Sequence, residues 1–304
     1  MCRWARPFPQ LFLLSSLMAV TGFHSGDLRA QSIRQQWQAS PHARSMDTPE
    51  EQERMNTAGC ARCHTAQGYQ HETLGGMESA APYSDATGLT CTACHAEGEE
   101  GRRIGPIRAG AARDACRGCH DELVTNSPNS LSWCSQWGIF EGTGGAGEEG
   151  AGTVVSSHTQ MEDGCIGCHM APSFEGLDPT LVGGHTFRVK TKGDLPPTFN
   201  SEPCLSCHKI MTSEILDESQ NQVRELLGDL GAMLPQRPDP ENPGSTVPRF
   251  PADPTLTDLQ ARASHNYWLV EKDGSLGVHN PAYTRVLLEE TMERLAGRDP
   301  FRYP

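Results

Sequence analysis

The sequence predicts a mainly α protein of short helices and long loops around an interior that the polypeptide itself does not supply. Three observations predict it. Hydrophobic residues make up only 36% and aromatics 6% of the 304 residues, while 31 glycines and 22 prolines break the chain often, a composition that favours loop over packed core. A five-residue Cys/His pattern recurs five times. The last third has no copy of that pattern and instead carries the apolar periodicity of long helices.

In chain order, the N-terminus reads as a secretion signal over residues 1–30. Arg3 and Arg6 precede the apolar run "LFLLSSLMAV", and "LRAQ" offers Ala30 for cleavage before Gln31, the layout of an export signal. The run falls short of the roughly 20 apolar residues that span a bilayer. The expected location is therefore periplasmic or extracellular. The net charge is −13, and removing Arg3, Arg6 and Arg29 with Asp27 leaves the chain more acidic still. An acidic surface argues against nucleic acid and anionic membrane as partners and suits a basic patch on a redox protein.

Ten of the 12 cysteines fall into five copies of CxxCH: Cys60, Cys63 and His64; Cys91, Cys94 and His95; Cys116, Cys119 and His120; Cys165, Cys168 and His169; Cys204, Cys207 and His208. Cysteines at i and i+3 share one side of a helical turn and can form thioethers to the two vinyl groups of one haem. The histidine that follows reaches the iron as proximal ligand. Disulfides and zinc sites also use paired cysteines, but neither needs a histidine directly after the second one. Five covalently bound haem c groups are expected. Cys2 lies in the signal, and Cys134 is left over as a packed thiol.

The motif starts are separated by 31, 25, 49 and 39 residues, so the five porphyrins must be neighbours and fill the interior. The expected fold is a multihaem cytochrome c wrapped around a stacked haem core over residues 31–212. A C-terminal helical segment, 213–304, packs on that core and supplies a distal ligand. Folding is expected to depend on haem attachment as small metal domains depend on their metal.

Six histidines outside the signal and the motifs are candidates for the second axial position: His42, His71, His158, His185, His265 and His279. His42 follows Trp37, which can cover a porphyrin edge. His158 lies seven residues before Cys165. His185 follows Gly183 and Gly184, which allow close approach of the backbone to a ring. His279 precedes Asn280-Pro281, an N-cap and first helical position. His71 and His265 have weaker contexts, and Met170 is read as packing.

In the last third, residues 213–233 read as a helix with Ile215, Leu216, Val223, Leu226, Leu227 and Leu230 on one side. The Pro-rich run 235–254 reads as a surface loop. Two more helices are expected at about 256–271 and 281–296, the second with Leu287, Leu288, Thr291, Met292 and Leu295 inward. The Gly-rich stretch 142–152 reads as a surface element.

Taken together, "WQASPHA", "CARCHTAQGY", "GCIGCHM", "GGHTF" and "NYWLVEKDGSLGVHNPAYTRVLLEETMERL" resemble the multihaem cytochromes c related to cytochrome c nitrite reductase and hydroxylamine oxidoreductase. The resemblance implies a mostly helical protein with stacked haem pairs and His42, His158, His185 and His279 as distal ligands. The chain departs from it in two places. All five motifs end in His, where such nitrite reductases carry one ending in Lys. After the third motif "SWCSQ" has Trp133 and Cys134 where relatives often have histidines, which marks the haem of Cys116 and Cys119 as the place to look for a lost sixth ligand, either replaced by His71 or His265 or left open.

Two functions are in view. The first is an exported pentahaem electron carrier with mostly bis-His haems, passing electrons between redox partners such as a membrane-bound quinol-oxidising complex and a reductase, alone or in an oligomer or complex. The second is a reductase or oxidase of nitrite, hydroxylamine or a similar small nitrogen or sulfur compound at one open haem. An iron left without a second histidine discriminates them. No catalytic residue is singled out.

Overall fold

Single helical turns dominate the first two thirds of the chain, and three long helices dominate the rest. The computed structural model describes residues 25–97, 104–108, 112–123, 133–134, 136–147, 156–193 and 196–298. Most of the expected signal segment lies outside them. Helix α1 (Ser25–Ala39) runs through the expected cleavage point after Ala30. Helix α2 (Pro49–Met55) starts at a capping box in which Thr48 and Glu51 satisfy each other's backbone N–H, with Pro49 in the first turn.

Each attachment motif forms its own turn. The first is α3 (Ala61–His64), followed by α4 (Ala66–Gly68) and a wider π-type turn at Tyr69–Leu74. The second is α5 (Cys91–Cys94), running into β1 (His95–Glu97), which pairs antiparallel with β2 (Ile104–Ile107). The third closes α6 (Ala112–His120), after which β3 (Glu122–Leu123) pairs with β4 (Trp133–Cys134) and α7 (Gln136–Glu141) follows. The fourth is α8 (Gly164–His169), and the fifth follows a 3-10 turn at Glu202–Cys204. The only sheets among the described residues are two-stranded.

Helix α9 (Ser213–Met233) has the expected limits. It buries Val223, Leu227 and Leu230, whereas Ile215 in its first turn is exposed. Helices α10 (Asp258–Asp273) and α11 (Pro281–Leu295) lie within two residues of expectation, and Asn280 caps α11 through its side chain with Pro281 behind it. The Pro-rich run is more than a loop. It contains a hairpin, β5 (Gln236–Pro238) against β6 (Thr246–Pro248), tolerated because a two-stranded ribbon is all edge. Beyond it Phe250 stacks 4.9 Å from Trp268 of α10.

The main apolar core joins Val223, Leu227, Leu230, Leu269, Leu287 and Leu288 of the three long helices. Ile139 of α7 belongs to it as well, so the core reaches back across the boundary expected at residue 212. Asn266 ties the Gly-rich stretch to it: its side chain accepts from the N–H of Ala146 and donates to the Ala146 carbonyl and to Thr291. Residues 148–152 of that stretch lie outside the described part. Among the described residues no helix is long and apolar enough to cross a membrane.

Candidate functional site

The helical turn of each motif places its two cysteines together and sends the histidine onward. In the first, the N–H groups of Cys63 and His64 both donate to the Cys60 carbonyl at 3.1 Å, and in the fifth His208 donates to Cys204 at 2.8 Å. None of the ten motif cysteines is in a disulfide. Among the described residues no three His, Cys, Asp or Glu side chains converge as a bare-ion site requires.

Four motif histidines each face one histidine from elsewhere in the chain. The ring centres are 6.1 Å apart for His42 and His120, 6.2 Å for His185 and His95, 6.3 Å for His158 and His208, and 6.1 Å for His279 and His169. Two metal–nitrogen bonds of about 2 Å, with about 1.2 Å from each ring centre to its ligating nitrogen, put two imidazoles that share one metal about 6 Å apart. Incidental ring contacts spread over roughly 4.5–7 Å. Four spacings within 0.2 Å of one another, each joining one motif ring to one outside ring, fit a metal between them.

Hydrogen bonds to the rings point the same way. Nδ1–H donates to a fixed acceptor in five of these eight rings: His95 to Gly105 O, His120 to Gln136 Oε1, His158 to Val278 O, His169 to Phe187 O and His279 to Asp273 Oδ1. A bond at Nδ1 fixes the tautomer and leaves the Nε2 lone pair for a metal. The Gln136 assignment is secure because its amide N–H groups face the carbonyls of Lys272 and Asp273. Nδ1 of His42 is buried with no protein partner, an orphan that a bound group would satisfy.

Two of the six candidates behave oppositely. His71 commits Nε2 to Glu78 O at 3.1 Å and His265 commits Nε2 to Gly144 O at 2.7 Å. Among the described residues neither ring faces a motif histidine; the Nε2 of each meets a backbone carbonyl, one seven residues along the chain and the other in the Gly-rich stretch. At the third motif the facing ring comes from a distant part of the chain. His120 has His42 opposite it, reached from the N-terminal segment rather than from "SWCSQ". It is His64 that has no facing ring among the described residues.

Burial disfavours the imidazolium form in five of these rings. It holds His42 down to about 4, and His64, His120, His169 and His185 below the usual range. These rings are neutral at neutral pH, the ligating state. His279 differs. Burial pushes it down as well, but the Asp273 carboxylate outweighs burial and raises it.

The outside histidines are placed by close backbone approaches. Leu89 N donates to His42 O at 2.9 Å, and the Trp37 indole N–H bonds to Leu89 O at 3.1 Å, so Trp37 braces this segment. The glycines before His185 serve chain packing. A Cβ at Gly184, where φ is +51°, would stand 2.3 Å from Oε1 of Gln36, and that oxygen accepts the His185 N–H at 3.0 Å. Met170 caps α8 and bonds back to Ile166 O through its N–H.

Sequence reasoning missed three residues. Phe187 has φ +58°, uncommon for a bulky residue. Its ring meets His42 at 4.5 Å and His185 at 6.2 Å, and its carbonyl holds His169. Gln136 and Asp273 hold His120 and His279. The segment 272–280 thus steadies three rings from three different pairs. Only the "DG" that ends α10 and the "F" of "GGHTF" hinted at this.

The motifs are neighbours. The thiol of Cys63 lies within hydrogen-bonding reach of Cys119, and that of Cys116 within reach of Cys165. Helices α6 and α8 pack together. The fifth motif is the most exposed, with Cys207 and His208 at the surface beside exposed Leu205 and Ile210.

No family model and no curated protein matches the sequence. Two solved structures match the fold. The outer cell wall cytochrome OcwA is 22% identical with a TM-score of 0.57, over 86% of this chain and 49% of its own. An undecaheme cytochrome from the S-layer of Carboxydothermus ferrireducens is 18% identical with a TM-score of 0.51, over 85% of this chain and 41% of its own. The chain spans about half the length of these proteins or less. The fold is thus that of multihaem cytochromes.

Proposed function

We propose that this chain is an exported pentahaem c-type cytochrome that moves electrons along closely packed haems between redox partners. The observation that carries it is the set of four motif-to-outside histidine pairs at 6.1–6.3 Å. Each CxxC pair, Cys60/Cys63, Cys91/Cys94, Cys116/Cys119, Cys165/Cys168 and Cys204/Cys207, anchors one haem through thioethers. The iron pairs are His42 with His120, His185 with His95, His158 with His208 and His279 with His169. Bis-His ligation keeps potentials low relative to His/Met sites. When bound, the haem iron supplies the one-electron chemistry. The protein's part is to fix ring orientation through Nδ1 acceptors and to keep the imidazoles neutral by burial. The exposed fifth motif is the docking end for a partner, and the acidic chain favours a basic one. The location of the two fold relatives, an outer cell wall and an S-layer, supports an envelope or extracellular setting.

A second reading rests on His64. Without a facing histidine, the first haem would be five-coordinate and open to a small nitrogen or sulfur compound. A pyridine haemochrome assay with electron paramagnetic resonance of the oxidised protein, before and after nitrite, hydroxylamine or cyanide, separates the readings. Five haems with four low-spin centres are expected, and fewer than five overturns the motif assignment. A high-spin signal that these ligands convert and that His64→Ala alters gives the open site. Purely low-spin spectra exclude that site and leave the electron carrier.

A further inference from the structure

The acceptors that hold the paired rings are not equivalent. His95, His120, His158 and His169 donate Nδ1–H to neutral oxygens, three backbone carbonyls and one amide. His279 donates to a carboxylate, Asp273 Oδ1, at 2.6 Å. The Asp273 side chain is fully buried, and His279 is its ion-pair partner. Its second oxygen accepts the Ser275 hydroxyl and, at 3.2 Å, the Ser275 N–H. A buried carboxylate persists only when it is bonded in this way. The αL cap at Gly274, φ +70°, turns the chain so that Asp273, Ser275 and His279 meet.

We propose that Asp273 is a positioning residue that makes the His169–His279 centre the lowest-potential haem among the four paired ones. The inference rests on the pentahaem reading above. A carboxylate drawing on the Nδ1 proton pushes electron density to Nε2, and a more basic ligand favours ferric over ferrous iron. Reduction adds one electron at the iron, and the Nδ1 proton stays between His279 and Asp273, so no proton is exchanged. The fourth motif neighbours the third through the Cys116–Cys165 contact, and Cys168 lies in the field of Cys204 of the fifth. A low-potential centre there sits between two higher ones, so electrons pass over it and rest on either side.

The test is a mediated dithionite titration of the holoprotein followed by absorbance and electron paramagnetic resonance. In Asp273→Asn, one low-spin signal changes and its reduction equilibrium shifts at least tenfold toward ferrous, about 59 mV for one electron, while the other centres move much less. Asp273→Glu restores most of the shift. Ser275→Ala, which removes a donor from the carboxylate, moves the same centre the opposite way. Unchanged potentials in Asp273→Asn with five haems present overturn the proposal. So does a shift shared equally by all centres, or Asn and Ala variants that move together with no rescue by Glu, since each reports only a loosened structure. If Asp273→Asn loses haem, the Glu and Ala variants decide by the same signs. A wild-type haemochrome below five haems fails the pentahaem reading instead, and it is seen before any titration.

Discussion

The two regions of this molecule are held together differently. In the C-terminal region, α9, α10 and α11 bury Leu230, Leu269, Leu287 and Leu288 completely, in one cluster that reads directly from 3.6-residue periodicity. In the motif region, apart from Ile139 and Phe140 of α7, the buried apolar residues among those described are Met46, Ala61, Ala66, Ala93, Ala171 and Val182, mostly small and dispersed. Its buried positions include the polar Ser40, Thr65, Thr186 and Asn200. One region is specified by packing volume and the other by the spacing of ligands, turns and hydrogen bonds. The regions meet at Ile139, at Ala146 against Asn266 and in residues 272–280, where the end of one ordinary helix and the start of the next hold rings of three histidine pairs.

The comparison breaks most visibly if attachment is prevented. Expression without the haem-attachment machinery is expected to leave residues 31–212 protease-sensitive while fragments spanning the three long helices survive, because only the latter bury a contiguous apolar cluster. Limited proteolysis with mass spectrometry reads this, and equal resistance of both regions would show that the motif region has a core of its own. Next in size is Leu230→Ala. Removing a fully buried leucine costs about 2–5 kcal/mol, read by denaturant titration. The haem absorbance is expected to keep its shape until the transition, and altered spectra in native conditions would show that the regions are not separable.

A smaller effect sharpens the motif side. Gly184→Ala puts a Cβ against Gln36 at positive φ, a conformation that costs an L residue about 1–2 kcal/mol. The expected readout is spectroscopic, one low-spin centre becoming partly high-spin as His185 leaves His95. A loss of thermal stability with all spin states intact would place Gly184 among purely structural residues.

Helix limits were legible because α9, α10 and α11 bury a stripe and carry cap residues. The five CxxCH turns were legible because cysteines at i and i+3 followed by a histidine close a single helical turn. The pairing was not, since His42 meets His120 across 78 positions, and no local pattern encodes that. The third motif shows the reason. "SWCSQ" draws attention because relatives often have histidines there, whereas the ring opposite His120 comes from the N-terminal segment. His71 and His265 could not be set aside from sequence either, because what occupies them is the carbonyl of Glu78 or Gly144, a contact visible only in three dimensions. Asp273 was hidden in plain view as the last residue of a helix.

The smallest prediction tests whether the helical region stands on local rules. At the start of α10, Thr257 accepts the N–H of Gln260 while the Gln260 side chain accepts the N–H of Thr257. Thr257→Ala removes the hydroxyl acceptor and leaves one first-turn donor to water, at a cost of about 1 kcal/mol. The cap is exposed and fifteen residues ahead of Lys272, where contact with the histidine network begins. The expected outcome is a small drop in the denaturation midpoint with every haem potential unchanged. A potential that moved with this cap would mean that strain travels the length of α10 to Asp273, and that the helical region and the histidine network respond as one mechanical unit.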